Sequence, residues 1–296
     1  MKSISYLYII LAAVCWGTTG FFTKTLSAAG FSPVEISFMR SGFSAVLFCA
    51  VFAAKDRSMF KIMRFRDIRY FLFTGILCLT FYNLTYTKAV NETSLCVAAV
   101  LTYTSPAMVL GLSRIFLKEK ITGRKSLAVL TTFVGCLFVA GIFEEAGARI
   151  SAAGIMYGLL SALSYSAFGI ASKIALRKYR SYTINIYTFI FGTLAVLPFI
   201  NAGGVVTRLN TAGLLPFAAC YAVITAGAGY MLYTKGLVNA EASQAAVLTT
   251  VEPVTAAVLG FAVFHEALTP FKVIGVCCVL ASVIIMRDGE KEPSGE

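Results

Sequence analysis

Charged residues are scarce in this chain. Aspartate, glutamate, lysine and arginine make up 13% of its 296 residues, whereas 58% are hydrophobic. A soluble domain carries about 25% charged residues, so this chain lacks the polar coat that a soluble core of its size needs. The composition therefore excludes an ordinary soluble domain and indicates a protein with several membrane spans.

Several kinds of functional signal are also missing. Tryptophan and histidine occur once each, as Trp16 and His265, and the net charge of +11 resides in short loops between apolar runs. No basic patch interleaved with aromatic residues is present, so we expect no nucleic-acid binding. The eight cysteines all lie in apolar stretches as small hydrophobic residues and predict neither disulfides nor a metal site. No Walker lysine motif occurs, and we expect no cofactor.

Apolar runs of about 20 residues, the length that crosses a bilayer, occur ten times. Because lipid offers no partner to backbone groups, each run must be a helix. The sequence thus predicts an all-α integral membrane protein with ten transmembrane helices, at about 5–26, 33–54, 69–88, 94–115, 125–143, 152–174, 183–201, 212–234, 243–264 and 270–286. The alternative for the first run is a cleaved secretory signal, with Lys2 as its charged region and 27–29 as its cleavage zone. The length of the run and its counterpart in mid-chain favour a span.

Lysine and arginine are distributed unevenly between the two sides of the predicted membrane. With the N-terminus inside, 19 of them lie on the cytoplasmic side and 5 on the other, and Arg40 lies within a span. Because basic loops stay inside, this asymmetry predicts a multi-pass protein of the plasma (inner) membrane with both termini in the cytoplasm.

The two halves of the chain repeat each other. At a shift of 147 residues, Ala98-Ala99-Val100-Leu101-Thr102 matches Ala245-Ala246-Val247-Leu248-Thr249, and Pro106 matches Pro253. Near the start of each half the shift is 149, and Trp16 matches Tyr165. We therefore predict repeats at 1–146 and 147–288, followed by a polar cytoplasmic tail at 289–296. Since five spans are an odd number, the second repeat enters the membrane from the opposite side, and such inverted repeats are typical of secondary transporters.

Short motifs in a fixed order carry a resemblance to a known family. The residues are Trp16-Gly17-Thr18-Thr19, Phe21, Lys24, Arg40, Pro106, Glu119 and Thr122 in the first half, and Glu252-Pro253, Gly260, Glu266, Thr269 and Gly275 in the second. With these motifs the chain resembles the EamA family of the drug/metabolite transporter superfamily over nearly its whole length. The resemblance implies a ten-helix carrier of small metabolites, such as amino acids, with a cavity between its halves.

Glu252 is the acidic residue nearest the middle of a predicted span, and its counterpart in the first half is a serine, Ser105. Burying an ionised carboxylate in hydrocarbon costs several kcal/mol, so Glu252 must face a cavity, find a partner or bind a proton. Helical spacing predicts one polar stripe that consists of Gln244, Thr249, Glu252 and Thr255. The functional interpretation is a site for a proton or a cationic substrate group. The structural alternative is an ion pair with Arg40 that holds helices together.

Pro106 and Pro253 interrupt matching spans. Each proline removes one helical hydrogen bond and is expected to release the carbonyl four residues before it, at Thr102 and Thr249. Paired interruptions at matching places favour a binding site near the middle of the membrane, although a packing kink is the simpler alternative.

Aromatic rings form the next layer of candidates. Rings can hold an aromatic or cationic substrate group by stacking or cation–π attraction. The predicted cavity residues are Trp16, Tyr82, Tyr103, Tyr165 and Tyr230, with Asn83 as an added hydrogen-bonding group. Packing or an interfacial position is favoured for Tyr86 and Tyr233, which lie near span ends. The span-end lysines Lys24, Lys88, Lys173 and Lys235 are interpreted as membrane anchors. Glu119 and Glu266 are expected to pair with basic groups or to cap the next helix.

Other functional classes fit less well. An integral membrane enzyme has little support, because no His-Glu-x-x-His motif and no mid-span aspartate occurs, and Gly111-Leu112-Ser113 would need His265 as its base. A channel lacks a charged ring or a filter motif. A non-transporting sensor or scaffold is a further alternative, but it does not explain the inverted repeat or the carboxylate of Glu252 in the middle of a span. We therefore predict a non-enzymatic, monomeric secondary transporter in the lipid bilayer. It moves a small metabolite (an amino acid, an amine or a related compound) by alternating access, either coupled to protons or facilitated.

Overall fold

The computed structural model describes residues 2–55, 60–142, 151–265, 267 and 269–288, and within these ranges it contains helices and no strand. The predicted tail 289–296 and Glu266 lie outside the described residues. The α-helices, in chain order, are α1 (Lys2–Gly17), α2 (Thr19–Ala28), α3 (Pro33–Lys55), α4 (Ile68–Leu72), α5 (Phe81–Glu92), α6 (Leu95–Thr102), α7 (Ser105–Leu112), α8 (Gly123–Ala140), α9 (Ala152–Ala175), α10 (Ser181–Val196), α11 (Ala202–Thr211), α12 (Leu215–Tyr221), α13 (Gly229–Leu237), α14 (Ala242–Leu248), α15 (Val251–Phe264) and α16 (Pro270–Asp288).

Consecutive helices join into long apolar stretches. In the described part of the chain, nine stretches are long and apolar enough to cross a membrane: Ser3–Ala28, Pro33–Ala53, Phe65–Glu92, Leu95–Leu117, Gly123–Ala140, Ala152–Ala175, Ser181–Phe199, Leu215–Leu237 and Ala242–Phe264. Their ends differ by at most four residues from the predicted spans. A shorter apolar helix, Pro270–Met286, occupies the tenth predicted position. That this helix also crosses the membrane stays a prediction.

Two stretches contain π-helical segments at matching places. Phe73–Thr80 lies between α4 and α5, and Ala222–Ala228 lies between α12 and α13. A shift of 149 residues superposes the start of one segment on the start of the other. A π-helical segment locally changes the direction of the side chains on a helix, and here it precedes the two helices that carry Tyr82 and Tyr230.

The short helix α11 was not predicted. It follows Asn201, whose side-chain oxygen accepts a hydrogen bond from the amide of Gly204 at 3.0 Å. Its buried residues Val205 and Leu209 pack into a cluster with Phe31. Ten residues are too few to cross a bilayer. The composition of α11 is also as polar as that of a loop, so hydropathy alone predicted a loop between two spans.

The main helix pairs combine an early and a late part of the chain. Helix α1 packs on α13, α5 on α9, α3 on α10 and α8 on α16. Where α8 crosses α16, a methyl group added to Gly275 would lie 2.7 Å from the carbonyl oxygen of Gly135. Only glycines allow two backbones to approach so closely, a common device in membrane helix packing.

Candidate functional site

Two apolar stretches are broken near their middle. Helix α6 ends at Thr102 and α7 begins at Ser105, while α14 ends at Leu248 and α15 begins at Val251. At each break a threonine hydroxyl turns back to the preceding turn: Thr104 donates to the Leu101 carbonyl and Thr250 donates to the Val247 carbonyl, both at 2.6 Å. Such side-chain bonds compete with the helical hydrogen bonds and favour interruption. The breaks lie within one residue of each other in the 147-residue register.

Each proline follows its break directly. Pro106 is the second residue of α7 and Pro253 is the third residue of α15. The first turn of a helix has free amide groups in any case, so a proline there removes no helical bond. The expected release of the Thr249 carbonyl does not occur, because that oxygen accepts a hydrogen bond from the Glu252 amide at 3.0 Å. The prolines start new helices rather than kinking continuous ones.

A small cavity of about 60 Å³ lies where the two breaks meet, and we call it the central cavity. Its lining is Tyr82, Tyr86, Ala99, Thr102, Tyr103, Ser105, Tyr165, Thr249, Thr250 and Glu252. Thr102 and Ser105 on one wall correspond by the 147-residue shift to Thr249 and Glu252 on the other. The cavity is therefore built from the matching parts of the two halves.

Glu252 supplies the carboxylate of this cavity. It is half-buried in the first turn of α15. Among the described residues, no side-chain hydrogen bond or ion pair to its carboxylate occurs. A carboxylate in this setting needs water, a proton or a cationic ligand, and in this conformation the cavity has room for a few water molecules beside it.

Arg40 lies near Glu252 without bonding to it. Its guanidinium is 5.5 Å from the centre of the Tyr230 ring, and its charge interacts with Tyr221, Tyr82 and Glu252. Within the described ranges no ion pair joins Arg40 to Glu252, so the structural alternative raised by the sequence is not formed in this conformation. The Nε atom of Arg40 is buried and has no hydrogen-bond partner among the described residues.

Trp16 and Tyr230 form an aromatic wall behind the cavity. The Trp16 ring centre lies 5.1 Å from that of Tyr230 and 6.3 Å from that of Tyr165. Tyr165 in turn contacts Tyr82 at 5.8 Å, and both of these rings line the cavity. Of the predicted aromatic residues, Tyr82, Tyr103 and Tyr165 reach the cavity directly, whereas Trp16 and Tyr230 support it from behind.

Two predicted site residues lie elsewhere. Gln244 accepts a hydrogen bond from the Glu241 amide at 3.2 Å and caps the start of α14, so it does not line the cavity. The prediction that Gln244 and Glu252 share one polar face assumed a continuous helix. The helix is interrupted at Thr249 and Thr250, so the two side chains do not lie on the same face. Asn83 donates to the Ser37 hydroxyl at 3.0 Å and lines a second cavity between α3 and α5.

Several lining residues were not chosen from the sequence. Thr102 and Ser105 follow from the repeat, because their counterparts Thr249 and Glu252 were chosen. Tyr86 was assigned to packing near a span end, but its ring stacks on Tyr82 at 5.9 Å and lines the cavity. Tyr86 was missed because helical spacing in the sequence predicts neither that α14 is only seven residues long nor that α5 has a cavity beside it.

Comparisons with known proteins agree with this architecture. A family model described as "EamA-like transporter family" matches residues 3–141 and 152–287. An uncharacterized transporter of Archaeoglobus fulgidus is 28% identical over 94% of each chain. The uncharacterized transporter YwfM of Bacillus subtilis is 24% identical over 97% of this chain and 95% of its own. A protein of known crystal structure superposes with a TM-score of 0.78 at 15% identity, covering 99% of this chain and all of the other.

Proposed function

Because this multi-pass membrane chain belongs to the EamA-like transporter family, we propose that it is a secondary transporter that moves a small metabolite through the central cavity by alternating access. The observation that carries the proposal is the single carboxylate of Glu252 in a cavity otherwise lined by tyrosine, threonine, serine and alanine. A carboxylate among aromatic faces favours a ligand with a cationic group. An amino acid or an amine is the substrate class with this chemistry.

The symmetry of the helix pairs supports alternating access. In the proposed arrangement of two inverted repeats, the pair of α1 and α13 is equivalent to the pair of α9 and α5, and the helices of each pair are in contact. Two halves of similar build can exchange conformations at similar energy, which gives states open to either side. Coupling to protons is part of the proposal, since Glu252 is a group that can bind a proton or a substrate cation but not both at once.

The test is uptake into proteoliposomes that contain the purified protein. A panel of amino acids, amines and nucleobases is offered with and without a proton gradient, for the wild type and for Glu252→Gln. Gradient-driven accumulation that is lost in Glu252→Gln supports a proton-coupled carrier. Glu92→Gln is the matched control, because Glu92 is exposed at a span end and lies outside the cavity.

Counterflow separates a carrier from a sensor or scaffold. Vesicles preloaded with unlabelled substrate accumulate labelled substrate only if the protein exchanges one for the other across the membrane. No counterflow with any compound of the panel would reject transport. Counterflow and gradient-driven accumulation that are both unchanged in Glu252→Gln would keep the transporter and remove Glu252 from its mechanism.

A further inference from the structure

Glu119 bonds to the start of a helix 123 residues further along the chain. Its Oε1 accepts from the Ala242 amide at 2.7 Å, and its Oε2 accepts from the Ser243 amide at 3.1 Å and the Ser243 hydroxyl at 2.6 Å. The first amides of a helix lack partners, and a carboxylate there gains from hydrogen bonds and from the helix dipole. The next helix, α8, is capped instead by Thr122, whose hydroxyl accepts from the Lys125 amide at 3.3 Å. The expectation that Glu119 caps its own neighbour is thus corrected.

Two lysines strengthen the same connection. Lys125 Nζ lies 2.5 Å from the carboxylate of Glu241, which immediately precedes α14. Lys173 Nζ donates to the carbonyl of Leu237 at 2.6 Å and to that of Ala240 at 2.7 Å, and so caps the end of α13. Lys173 is therefore a helix cap rather than a membrane anchor. Groups from the ends of α7, α8 and α9 all hold the connection between α13 and α14.

This connection is separated from the central cavity by the short helix α14. Helix α14 runs from Ala242 to Leu248, about 10 Å at 1.5 Å per residue, and Thr249 at its end lines the cavity. Apart from Gln244, every residue of α14 is buried. The lining also includes Tyr86 and Ala99, which lie in the middle of α5 and of α6. The packed α14 separates the cavity from the face that bears the basic loops.

We propose that Glu119 is the gate residue that keeps the central cavity closed toward the face with the basic loops. Release of the Ala242 and Ser243 amides from Glu119 frees α14, and the cavity opens to that face. A carboxylate that holds three donors makes the closed state stable, and the movement of this one side chain releases all three bonds to the start of α14. The inference rests on the proposed transport function, since a gate has a purpose only in a protein with two open states.

Thiol labelling tests the gate without any substrate. Ser105→Cys is introduced after replacement of the eight native cysteines, and a membrane-impermeant maleimide is applied to sealed vesicles of both orientations. With Glu119 present, we expect labelling from the face opposite the basic loops. In Glu119→Gln, labelling from the basic-loop face should rise roughly tenfold, because hydrogen bonds to a charged acceptor are lost.

The matched control is Glu35→Gln. Glu35 pairs with Arg208 at the other ends of the spans, so its loss should not increase labelling from the basic-loop face. If Glu119→Gln does not fold, Ser243→Ala removes one of the three bonds and should give a smaller rise in the same direction. Unchanged labelling in the folded variant, or wild-type labelling from the basic-loop face, would overturn the gate. A shift in labelling without uptake of any substrate would reject the transport function instead and leave the conformational role of Glu119 intact.

Discussion

Ser105 and Glu252 line the same cavity, although 147 residues separate them along the chain. Each lies in the first turn of the helix that follows a break, and each is followed directly by a proline. The local structure of the two walls is therefore nearly the same, and the difference between hydroxyl and carboxylate gives the cavity its asymmetry. In the proposed function, the wall with Glu252 binds a cation or a proton, and the wall with Ser105 offers only a hydrogen bond.

This equivalence predicts that the carboxylate can be moved. Glu252→Ser should lose gradient-driven uptake by at least roughly tenfold, since a charged interaction is worth more than 1.4 kcal/mol in such a site. Adding Ser105→Glu should restore part of the uptake, because the carboxylate re-enters the same cavity. The measurement is initial uptake rate in proteoliposomes.

Ser105→Gln in the Glu252→Ser background is the control for the charge. Glutamine has the shape of glutamate but no charge, so this variant should stay inactive. A rescue by glutamine equal to that by glutamate would show that side-chain size matters and charge does not.

Tyr82 should contribute its ring rather than its hydroxyl. The ring contacts both Tyr86 and Tyr165 and lines the cavity. Ring contacts of this kind are worth about 0.5–1.5 kcal/mol, so Tyr82→Ala should raise KM by up to roughly tenfold, whereas Tyr82→Phe should leave KM within about twofold. Tyr8→Ala, outside the cavity, is the control. Equal losses in Tyr82→Phe and Tyr82→Ala would assign the effect to the hydroxyl.

The spans could be predicted from sequence because lipid imposes one rule on all of them. An apolar run that faces lipid satisfies its backbone as a helix, and the length of the run is set by the bilayer. Hydropathy therefore located each stretch to within a few residues. The same rule does not predict α11, because this helix is too short to span a bilayer and buries Val205 and Leu209 against other helices.

The site was predictable only in part, since a carboxylate in an apolar span is conspicuous and its surroundings are not. Glu252 follows from its position alone. The misplacement of Gln244 has a physical origin: Thr249 and Thr250 turn their hydroxyls back onto carbonyls of the preceding turn and end the helix. Residues on the two sides of that break, such as Gln244 and Glu252, therefore do not share one helical face even though their spacing in the sequence is helical.

Gly17 holds α1 against the helix that carries Glu252. A methyl group on Gly17 would lie 2.7 Å from the Glu252 carbonyl oxygen and 2.5 Å from the Thr255 Cβ. Backbone cannot retreat as a flexible side chain can, so we expect Gly17→Ala to cost about 1–3 kcal/mol in stability. Thermal unfolding in detergent measures the effect. Gly20→Ala is the control, because Gly20 is three residues further along the chain and an added methyl group there has no atom within 4 Å. This variant should keep the stability of the wild type. Equal melting temperatures for the two variants would contradict this packing.

A hydrogen bond to Asp67 joins an early and a late part of the chain. It is 3% exposed and accepts from the Tyr179 hydroxyl at 2.8 Å, while Lys178 lies at 3.2 Å with a half-exposed side chain. The Tyr179 oxygen also accepts from the Met63 amide at 3.1 Å. Tyr179→Phe thus leaves a buried carboxylate and an amide short of one partner each.

We expect Tyr179→Phe to lower the free energy of unfolding by about 1–3 kcal/mol, the cost of a buried charged group that loses a hydrogen bond. Tyr187→Phe is the matched control, because the Tyr187 hydroxyl donates at 2.7 Å to the neutral carbonyl of Phe60. Its loss should cost less, about 0.5–1.5 kcal/mol. The comparison is made by thermal unfolding of both variants in the same detergent. A larger loss in Tyr187→Phe than in Tyr179→Phe would show that Lys178 alone satisfies Asp67. The charge of Asp67, and not its hydrogen bond to Tyr179, would then join the two parts of the chain.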